Sequence, residues 1–210
     1  MNTIKIINYT KILKGKKILD NINYTFESGK IYGITGRNGS GKTMLLRALC
    51  GLIFPDEGDI FFDDKRLHNE ISFPESCGVI IENTELLPNF NGYENLKILS
   101  KIKKIANDND IITALSKVGL DPKSKLKVKA YSLGMKQRLS IAQAIFENPK
   151  LLLMDEPTNA LDESGIDMVR RLLQEFKDNG AIILIASHNK EDINLLADVT
   201  INISDGKILN

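Results

Sequence analysis

The sequence has 210 residues and a formal net charge of +1 at pH 7, from 28 Lys and Arg against 27 Asp and Glu. A chain of this length can bury a sizeable core, as one large domain or two small ones. Its near-neutral charge argues against a general nucleic-acid-binding surface, so we expect no nucleic-acid partner. No apolar run approaches the roughly 20 residues that span a bilayer, and the N-terminus lacks a signal-peptide pattern. We therefore expect a soluble protein that reaches a membrane only through a partner.

Two strands, over residues 3–8 and 21–27, are predicted first, with a turn at Gly15 between them. The second strand alternates polar and apolar residues, as a half-buried strand does. A short apolar strand follows over 31–35 and ends at a glycine-rich loop. Residues 44–50 contain no helix breaker and indicate a helix. The loop therefore lies where a strand gives way to the N-terminus of a helix.

This loop has the sequence GRNGSGKT and fits the phosphate-loop pattern. Its glycines let the backbone approach an anion, so that successive N–H groups point inward and the helix adds its positive end. We assign Lys42 to the β- and γ-phosphates of a nucleotide and the Thr43 hydroxyl to Mg²⁺. A glycine-rich turn without a ligand is the alternative, which the Lys-Thr pair disfavours. The predicted phosphate-binding residues are Gly36, Arg37, Asn38, Gly39, Ser40, Gly41, Lys42 and Thr43.

The middle of the chain is predicted to hold strands over 59–62 and 77–81 and then helices from about 92 to 147. Three helices without an intervening strand indicate an inserted helical subdomain, roughly residues 83–150. One of these helices is predicted to begin at Asn107 or Asp108 and to end at Gly119, with Ile111, Ile112, Leu115 and Val118 on one face. The cysteines, Cys50 and Cys77, lie in apolar stretches without metal-ligand spacing, which indicates core residues in a reducing compartment.

The last third alternates apolar strands, over 151–154 and 181–186, with an amphipathic helix over 163–178, and closes with a hairpin around Asp205-Gly206. Continuous apolar strands that alternate with helices indicate a parallel sheet covered on both faces. The predicted fold class is therefore α/β. It comprises a P-loop NTPase core with a mostly parallel sheet, an antiparallel β-subdomain and the inserted helical subdomain, in a single domain over residues 1–210.

Polar residues follow three of the predicted strands at the points where the strands end. They are Asp155 with Glu156, His188 and Glu82. Ligands of open α/β sheets bind at the carboxyl ends of the strands, so we expect these residues to converge on one γ-phosphate. We assign Asp155 to Mg²⁺, Glu156 to orienting and deprotonating the attacking water, and His188 to a hydrogen bond with the γ-phosphoryl group. A solvated turn and an ordinary exposed histidine are the alternatives.

Five segments resemble, in order, those of nucleotide-binding subunits of ATP-binding-cassette (ABC) transporters, over essentially the whole chain. They are the phosphate loop at 36–43, the signature Tyr131-Ser132-Leu133-Gly134-Met135 with Lys136-Gln137-Arg138, Walker B at 151–157, the D-loop Asn159-Ala160-Leu161-Asp162, and the switch Ser187-His188. The resemblance implies an ATPase coupled to transport across a membrane. Because five motifs occur in order, the resemblance is specific.

The resemblance also implies partners and a mechanism. Two cassettes, as a homodimer, would face head to tail with each ATP between the phosphate loop of one and the signature of the other. Ser132 and the Gly134 N–H would then donate hydrogen bonds to the γ-phosphate across the dimer, and Asp162 would couple the two sites. Separate transmembrane permease subunits would hold the protein in the cytoplasm, peripheral on the inner face of the cell membrane.

Three positions depart from the family pattern. The signature reads YSLGM where the family usually has LSGGQ, but it keeps Ser132 and Gly134. The family's Q-loop glutamine corresponds to Glu82. A carboxylate at this position can still ligate Mg²⁺, but it adds negative charge near the γ-phosphate. In the alternative register, shifted by one residue, Asn83 takes the position. The aromatic residue that stacks on adenine is replaced by Leu13, with Tyr9 as the nearest aromatic, so apolar packing would discriminate less between ATP and GTP.

In Glu82 and in the sequence SLGMKQRL, the chain resembles the ABC subunits that export, or confer immunity to, peptide antibiotics such as lantibiotics and bacitracin. Two other functions are weighed against an exporter subunit: a soluble ABC ATPase of translation or DNA repair, and a nucleotide-binding regulatory module without turnover. The alternating lysines Lys123, Lys125, Lys127 and Lys129 indicate either a solvated loop or a contact with anionic lipid or a partner.

Overall fold

Strands and helices alternate along the described residues, which in this computed structural model are 1–82, 84–188 and 190–209, without the side chains of residues 190–192. The strands are β1 Thr3–Leu13, β2 Lys16–Glu27, β3 Lys30–Thr35, β4 Glu57–Phe62, β5 Lys65–Arg66, β6 Cys77–Ile80, β7 Leu151–Asp155, β8 Ile182–Ala186, β9 Val199–Ser204 and β10 Lys207–Leu209. The helices are α1 Lys42–Leu49, α2 Gly92–Lys103, α3 Asp108–Lys117, α4 Leu133–Ile145, α5 Glu163–Asp178 and α6 Lys190–Leu196, with a 3-10 turn at Val128–Ala130.

Four strands form an antiparallel sheet in the order β2-β1-β4-β5, which confirms the predicted β-subdomain. The first two strands are longer than the predicted 3–8 and 21–27 because they continue to a hairpin turn at residues 14–15. Register shifts interrupt their pairing, and Asn8 and Asn21 have positive φ angles of 48° and 53°. Such irregularities break the polar–apolar alternation from which strand length is predicted.

The second sheet has six strands in the order β10-β9-β3-β8-β7-β6. All neighbours pair in parallel except the closing hairpin β9–β10, so the predicted mostly parallel sheet is confirmed. Successive residues of its strands enter different cores. Leu152 and Ile183 pack with the helices α3 to α6, and Leu153 and Leu184 pack with α1 and the antiparallel sheet. Both faces are covered, as continuous apolar strands require.

Helices α2, α3 and α4 lie between β6 and β7, in agreement with the predicted helical insertion. Asn107 caps α3 by accepting hydrogen bonds from the N–H groups of Asn109 and Asp110. The prediction that Ile112 shares the buried face of α3 is wrong, because Ile112 is 42% exposed while the other three predicted residues are buried. Ile112 lies about 100° around the helix from Ile111, and α3 packs against its neighbours on one side only.

The structure also bears on the predictions about membrane spans, the two cysteines and the alternating lysines. In the described part of the chain, no helix is long and apolar enough to cross a membrane. Cys50 is buried and Cys77 is half-buried, and both thiols are free. The lysines Lys123, Lys125, Lys127 and Lys129 are exposed, which both interpretations of that segment require.

Gly78 of β6 is predicted to be a critical position for packing the signature helix α4. A Cβ at this position would lie 1.9 Å from the backbone oxygen of Ala144, at the end of α4. Because the clash can be relieved only by shifting backbone atoms, we expect Gly78→Ala to lower the free energy of unfolding by about 3 kcal/mol. Urea unfolding measures this change.

Gly180→Ala is the control for that substitution. Gly180 has a φ of 80° but no atom within 4 Å of an added Cβ. It therefore tests backbone strain without a clash, and we expect a loss of only about 1 kcal/mol. Equal losses in the two variants would contradict a packing role for Gly78.

Candidate active site

The phosphate loop joins β3 to α1 in the conformation that its glycines permit. Gly36, Gly39 and Gly41 have φ angles of 152°, 78° and 114°. A Cβ at Gly36 would lie 2.2 Å from the Ile203 oxygen, so neither the conformation nor the space admits a larger residue. The helix begins at Lys42, two residues before the predicted start, which brings its N-terminal N–H groups directly onto the loop.

Lys42 is buried and folds back across the loop. Its Nζ donates hydrogen bonds to the Gly36 oxygen at 2.9 Å and to the Arg37 oxygen at 3.2 Å. The Ser40 hydroxyl is also buried, and its Oγ has no hydrogen-bond partner within the described residues. A buried ammonium, a glycine-rich loop at a helix N-terminus and an uncommitted hydroxyl together fit a polyphosphate.

Thr43 and Asp155 meet at the carboxyl end of β7. The Thr43 hydroxyl donates a 2.6 Å hydrogen bond to Asp155 Oδ2. Burial raises the pKa of Asp155 above its ordinary value, and the charges of Glu156 and Glu82 raise it further, against the Thr43 hydrogen bond. Hard oxygen donors with unbalanced negative charge fit Mg²⁺, which keeps few protein ligands and binds phosphate oxygens as well. Among the described residues, no three His, Cys, Asp or Glu side chains lie close enough to hold a metal without a nucleotide.

The raised pKa of Asp155 has a consequence for stability. Its carboxylate is disfavoured in the folded state, so its destabilising effect is present at neutral pH and fades as the pH falls through the raised folded pKa. We expect Asp155→Asn, without Mg²⁺ or nucleotide, to raise the free energy of unfolding at pH 7 by about 1 kcal/mol. The gain should shrink at acid pH, as the pH falls through the raised pKa of Asp155. Urea unfolding in EDTA measures both values.

Asp63→Asn is the opposite control. The Asn2 and Thr3 N–H groups hold the pKa of Asp63 below its ordinary value, so losing this charge should destabilise the protein at pH 7. A stability loss in Asp155→Asn at pH 7 would show that its carboxylate is favourable where it lies.

Glu156 is held at the end of β7 by the end of the neighbouring strand β8. Ser187 Oγ donates to Glu156 Oε2 at 2.9 Å, and the His188 N–H donates to Oε1 at 2.9 Å. The His188 ring nitrogen Nδ1 lies 2.7 Å from the same Oε1. The carboxylate is an acceptor, so Nδ1 carries a hydrogen and Nε2 faces away from Glu156. Sequence reasoning missed Ser187 as a positioning residue, although it directly precedes His188.

Glu82 lies at the same edge of the sheet but contacts a different partner. Its Oε1 is 2.8 Å from Arg47 Nη2 on α1, and the two side chains are 59% and 35% exposed. The structure therefore brings Thr43 to Asp155 but does not bring Glu82 into contact with that pair. Asn83, the alternative of the shifted register, lies outside the described residues. The assignment of Glu82 to Mg²⁺ stays a prediction.

The signature and the D-loop each cap a helix, and they lie close to each other at Gly134 and Ala160. Ser132 caps α4 by accepting from the Met135 N–H at 3.2 Å, and a Cβ at Gly134 would lie 3.0 Å from the Ala160 oxygen. Asp162 caps α5 by accepting from the Gly165 N–H at 2.9 Å, which lowers its pKa. These contacts give Ser132 and Asp162 local structural roles and fix the end of α4.

Two side chains of the signature helix connect it to neighbouring segments of the chain. Gln137 Nε2 donates to the Pro157 oxygen at 2.9 Å. Arg138 Nη1 donates to the Val118 oxygen at 2.8 Å, and its Nη2 lies 3.4 Å from Asp162 Oδ1. The Gln137 side chain thereby joins α4 to the segment that follows Glu156.

A cavity of about 500 Å³ opens at the phosphate loop. Its lining combines loop residues with the apolar Leu13 and Ile18. Tyr9 is 1% exposed, with its hydroxyl 3.2 Å from the Ile53 oxygen, so it is excluded as a base-stacking residue. A second cavity of about 820 Å³ lies beside Arg37, Asn38 and His188. The loop therefore borders both cavities, and Asn38 lines each of them.

Comparison with known proteins agrees with these features. A family model described as ABC transporter matches residues 19–159. The chain is 57% identical to the uncharacterised ABC transporter ATP-binding protein YybJ of Bacillus subtilis, covering 98% of this chain and 94% of that protein. It is 38% identical to the lantibiotic transport ATP-binding protein SrtF of Streptococcus pyogenes, covering 98% and 89%. It is 41% identical to the bacitracin transport ATP-binding protein BcrA of Bacillus licheniformis, covering 98% and 68%.

Solved structures show the same fold. The dimeric bacterial ABC transporter cassette MJ0796 superposes with a TM-score of 0.88 at 23% identity, covering 99% of this chain and 97% of that chain. A post-hydrolysis state of that cassette, bound to ADP and phosphate, gives a TM-score of 0.85 at 23% identity.

Proposed function

This chain belongs to the ABC transporter family and is an ATP-binding subunit that hydrolyses ATP to drive transport, and we propose that the hydrolysis takes place between its phosphate loop and the ends of β7 and β8. The observation that carries this assignment is the anchoring of Glu156 by Ser187 and His188, beside the Thr43–Asp155 pair. A carboxylate held by two hydrogen-bond donors supports the proposal that Glu156 acts on water at the phosphate site.

Each residue of the proposed site has a separate role in the hydrolysis. Lys42 and the loop N–H groups bind the β- and γ-phosphates and orient the nucleotide. Glu156 accepts the proton of the attacking water, and Ser187 holds the carboxylate in place while it does so. His188 contacts the γ-phosphoryl group through the ring nitrogen that faces away from Glu156.

Thr43, Asp155 and Glu82 are the proposed ligands of Mg²⁺. When bound, the metal neutralises charge on the phosphate oxygens. The close Thr43–Asp155 pair and the negative charge around it support this proposal, and Glu82 requires a change of partner to join them.

A second copy of the chain completes the site. The N-terminal end of α4 supports this proposal because Leu133, between Ser132 and Gly134, is 74% exposed. The two phosphate-loop cavities contain no residue of the signature among their described linings. Ser132 and the Gly134 N–H are thus available to a γ-phosphate bound by the partner, and Asp162 lies where the two copies would communicate. We propose a homodimer.

The organisation and location follow the family pattern. We propose a single ATP-binding domain over residues 1–210 with a helical subdomain at roughly 83–150. Separate transmembrane permease subunits would place it on the cytoplasmic face of the cell membrane. The relatives' names describe ATP-binding proteins of transport, which favours this role over the soluble ATPase and the regulatory module.

The proposed cargo is a peptide antibiotic or a related compound, which the partner permease exports. SrtF and BcrA, with lantibiotic and bacitracin transport in their names, support this class, as do Glu82 and the SLGMKQRL sequence. Leu13 and Ile18 would pack on the nucleobase without hydrogen bonds to it, so GTP should also serve as a substrate.

Turnover and resistance assays test these proposals separately. ATP and GTP hydrolysis by the purified protein, alone and with membranes that contain the native permease, tests the enzyme. Deletion of this subunit from cells that carry the permease tests the cargo. Unchanged sensitivity to lantibiotics and bacitracin after deletion would contradict the cargo class while leaving the ATPase intact.

A further inference from the structure

Arg47 and Glu82 form an ion pair beside the proposed metal position. Arg47 lies in the last turn of α1, and Glu82 follows β6 with a positive φ of 56°. Arg47 Nη2 and Glu82 Oε1 are 2.8 Å apart. Arg47 has no role in the mechanism described above, although it holds one of the proposed Mg²⁺ ligands.

The position of Arg47 on its helix places this ion pair close to the metal site. Arg47 follows Thr43 by four residues on α1, so the two side chains share one face with their Cβ atoms about 6 Å apart. Thr43 in turn donates to Asp155. The Glu82 carboxylate is thus held by the residue one helical turn after Thr43, and its charge acts on Asp155.

The surroundings of Glu82 include other cations. Lys129 and Lys136 line, with Glu82, a cavity of about 430 Å³ that Leu133 and Ala160 also border. The contact that the structure gives to the Glu82 carboxylate is nevertheless with Arg47. Any exchange of partners at Glu82 therefore begins by breaking this ion pair.

We propose that Arg47 is a positioning residue that competes with Mg²⁺ for the Glu82 carboxylate. The inference rests on the proposed function, in which Thr43 and Asp155 hold the metal of bound ATP. Without nucleotide, Arg47 neutralises Glu82, so that an extra negative charge does not oppose the incoming phosphates. When the metal is bound, Glu82 leaves Arg47 and joins the metal ligands. Both side chains are at least one-third exposed, so the ion pair is weak enough to be exchanged.

This competition predicts opposite effects with and without the metal. Removing Arg47 frees Glu82 for Mg²⁺, so Arg47→Gln should lower the Mg²⁺ concentration that half-saturates nucleotide binding. Without the metal, the same freed carboxylate repels the phosphates and should weaken ATP binding. A role in folding alone would not produce opposite signs.

The test measures binding of a fluorescent ATP analogue, in EDTA and across a Mg²⁺ titration. The proteins are wild type, Arg47→Gln, Glu82→Gln, the double variant, and Arg170→Gln as a control. Arg170 is also 35% exposed and pairs with Asp167 at 2.8 Å on α5. We expect Arg47→Gln to lower the half-saturating Mg²⁺ concentration about three- to fivefold and to weaken binding in EDTA by a similar factor, as an exposed ion pair allows. Both effects should disappear in the Glu82→Gln background, and Arg170→Gln should show neither.

Several outcomes would overturn the inference. Equal changes with and without Mg²⁺, or an effect that persists in the double variant, would show that Arg47 does not act through Glu82. If Arg47→Gln does not fold, Arg47→Lys replaces it and should give smaller shifts of the same signs, with absent shifts overturning the proposal. A wild-type protein that binds no ATP would refute the proposed function itself. MgATP binding that is the same in the wild type and in Arg47→Gln would refute only the role of Arg47.

Discussion

Replacing Glu156 by Gln is expected to lower the rate of ATP hydrolysis by about a hundredfold to ten-thousandfold, as loss of a general base does. The amide keeps the shape of the side chain and can still accept from Ser187, but it takes no proton from water. It also removes a negative charge near the γ-phosphate, so ATP should bind at least as well. An ATP-bound dimer should therefore accumulate. Phosphate release measures turnover, and light scattering measures the dimer.

Glu27→Gln is the matched control for this substitution. Glu27 lies at the end of β2 and pairs with Lys30 on the surface at 2.6 Å. The substitution makes the same change from carboxylate to amide but lies outside the active site, so turnover should stay near the wild-type rate. If Glu156→Gln kept more than about a tenth of that rate, another group would be the base.

Replacing Lys42 by Met is expected to weaken ATP binding at least about thirtyfold. The substitution keeps the buried aliphatic stem but removes the ammonium, which donates to the Gly36 and Arg37 oxygens and is positioned for the phosphates. Stabilisation of the folded protein by ATP should disappear with binding, because a ligand stabilises the state that it binds. Thermal unfolding with increasing ATP measures both the affinity and the basal stability.

Lys30→Met is the corresponding control, since Lys30 is the surface partner of Glu27. It should leave ATP binding unchanged. A Lys42→Met protein that melts normally and still gains stability from ATP at wild-type concentrations would exclude Lys42 as a phosphate ligand. The two active-site variants also separate the steps, because one should lose turnover and keep ATP whereas the other should lose ATP itself.

Short-range patterns were enough to locate most elements. The apolar spacing along 163–178 predicted α5 with its observed bounds, and Asn107, one of the two residues predicted to begin α3, is its N-cap. The ends of the first two strands were harder to predict. Bulges near Asn8 and Asn21 break the alternation that marks a strand, although backbone pairing continues through them.

The sequence by itself determined the phosphate loop, since Gly36, Gly41, Lys42 and Thr43 all lie in one short segment, residues 36–43. It also indicated that polar residues after apolar strands would gather at one edge, because parallel strands end together. Only the tertiary structure decided which of them touch. Glu156 meets Ser187 and His188 because β7 and β8 are neighbours, whereas Glu82, beyond the edge strand β6, meets Arg47 of α1. Partners so far apart in sequence are chosen by strand order and helix packing, which no local pattern encodes.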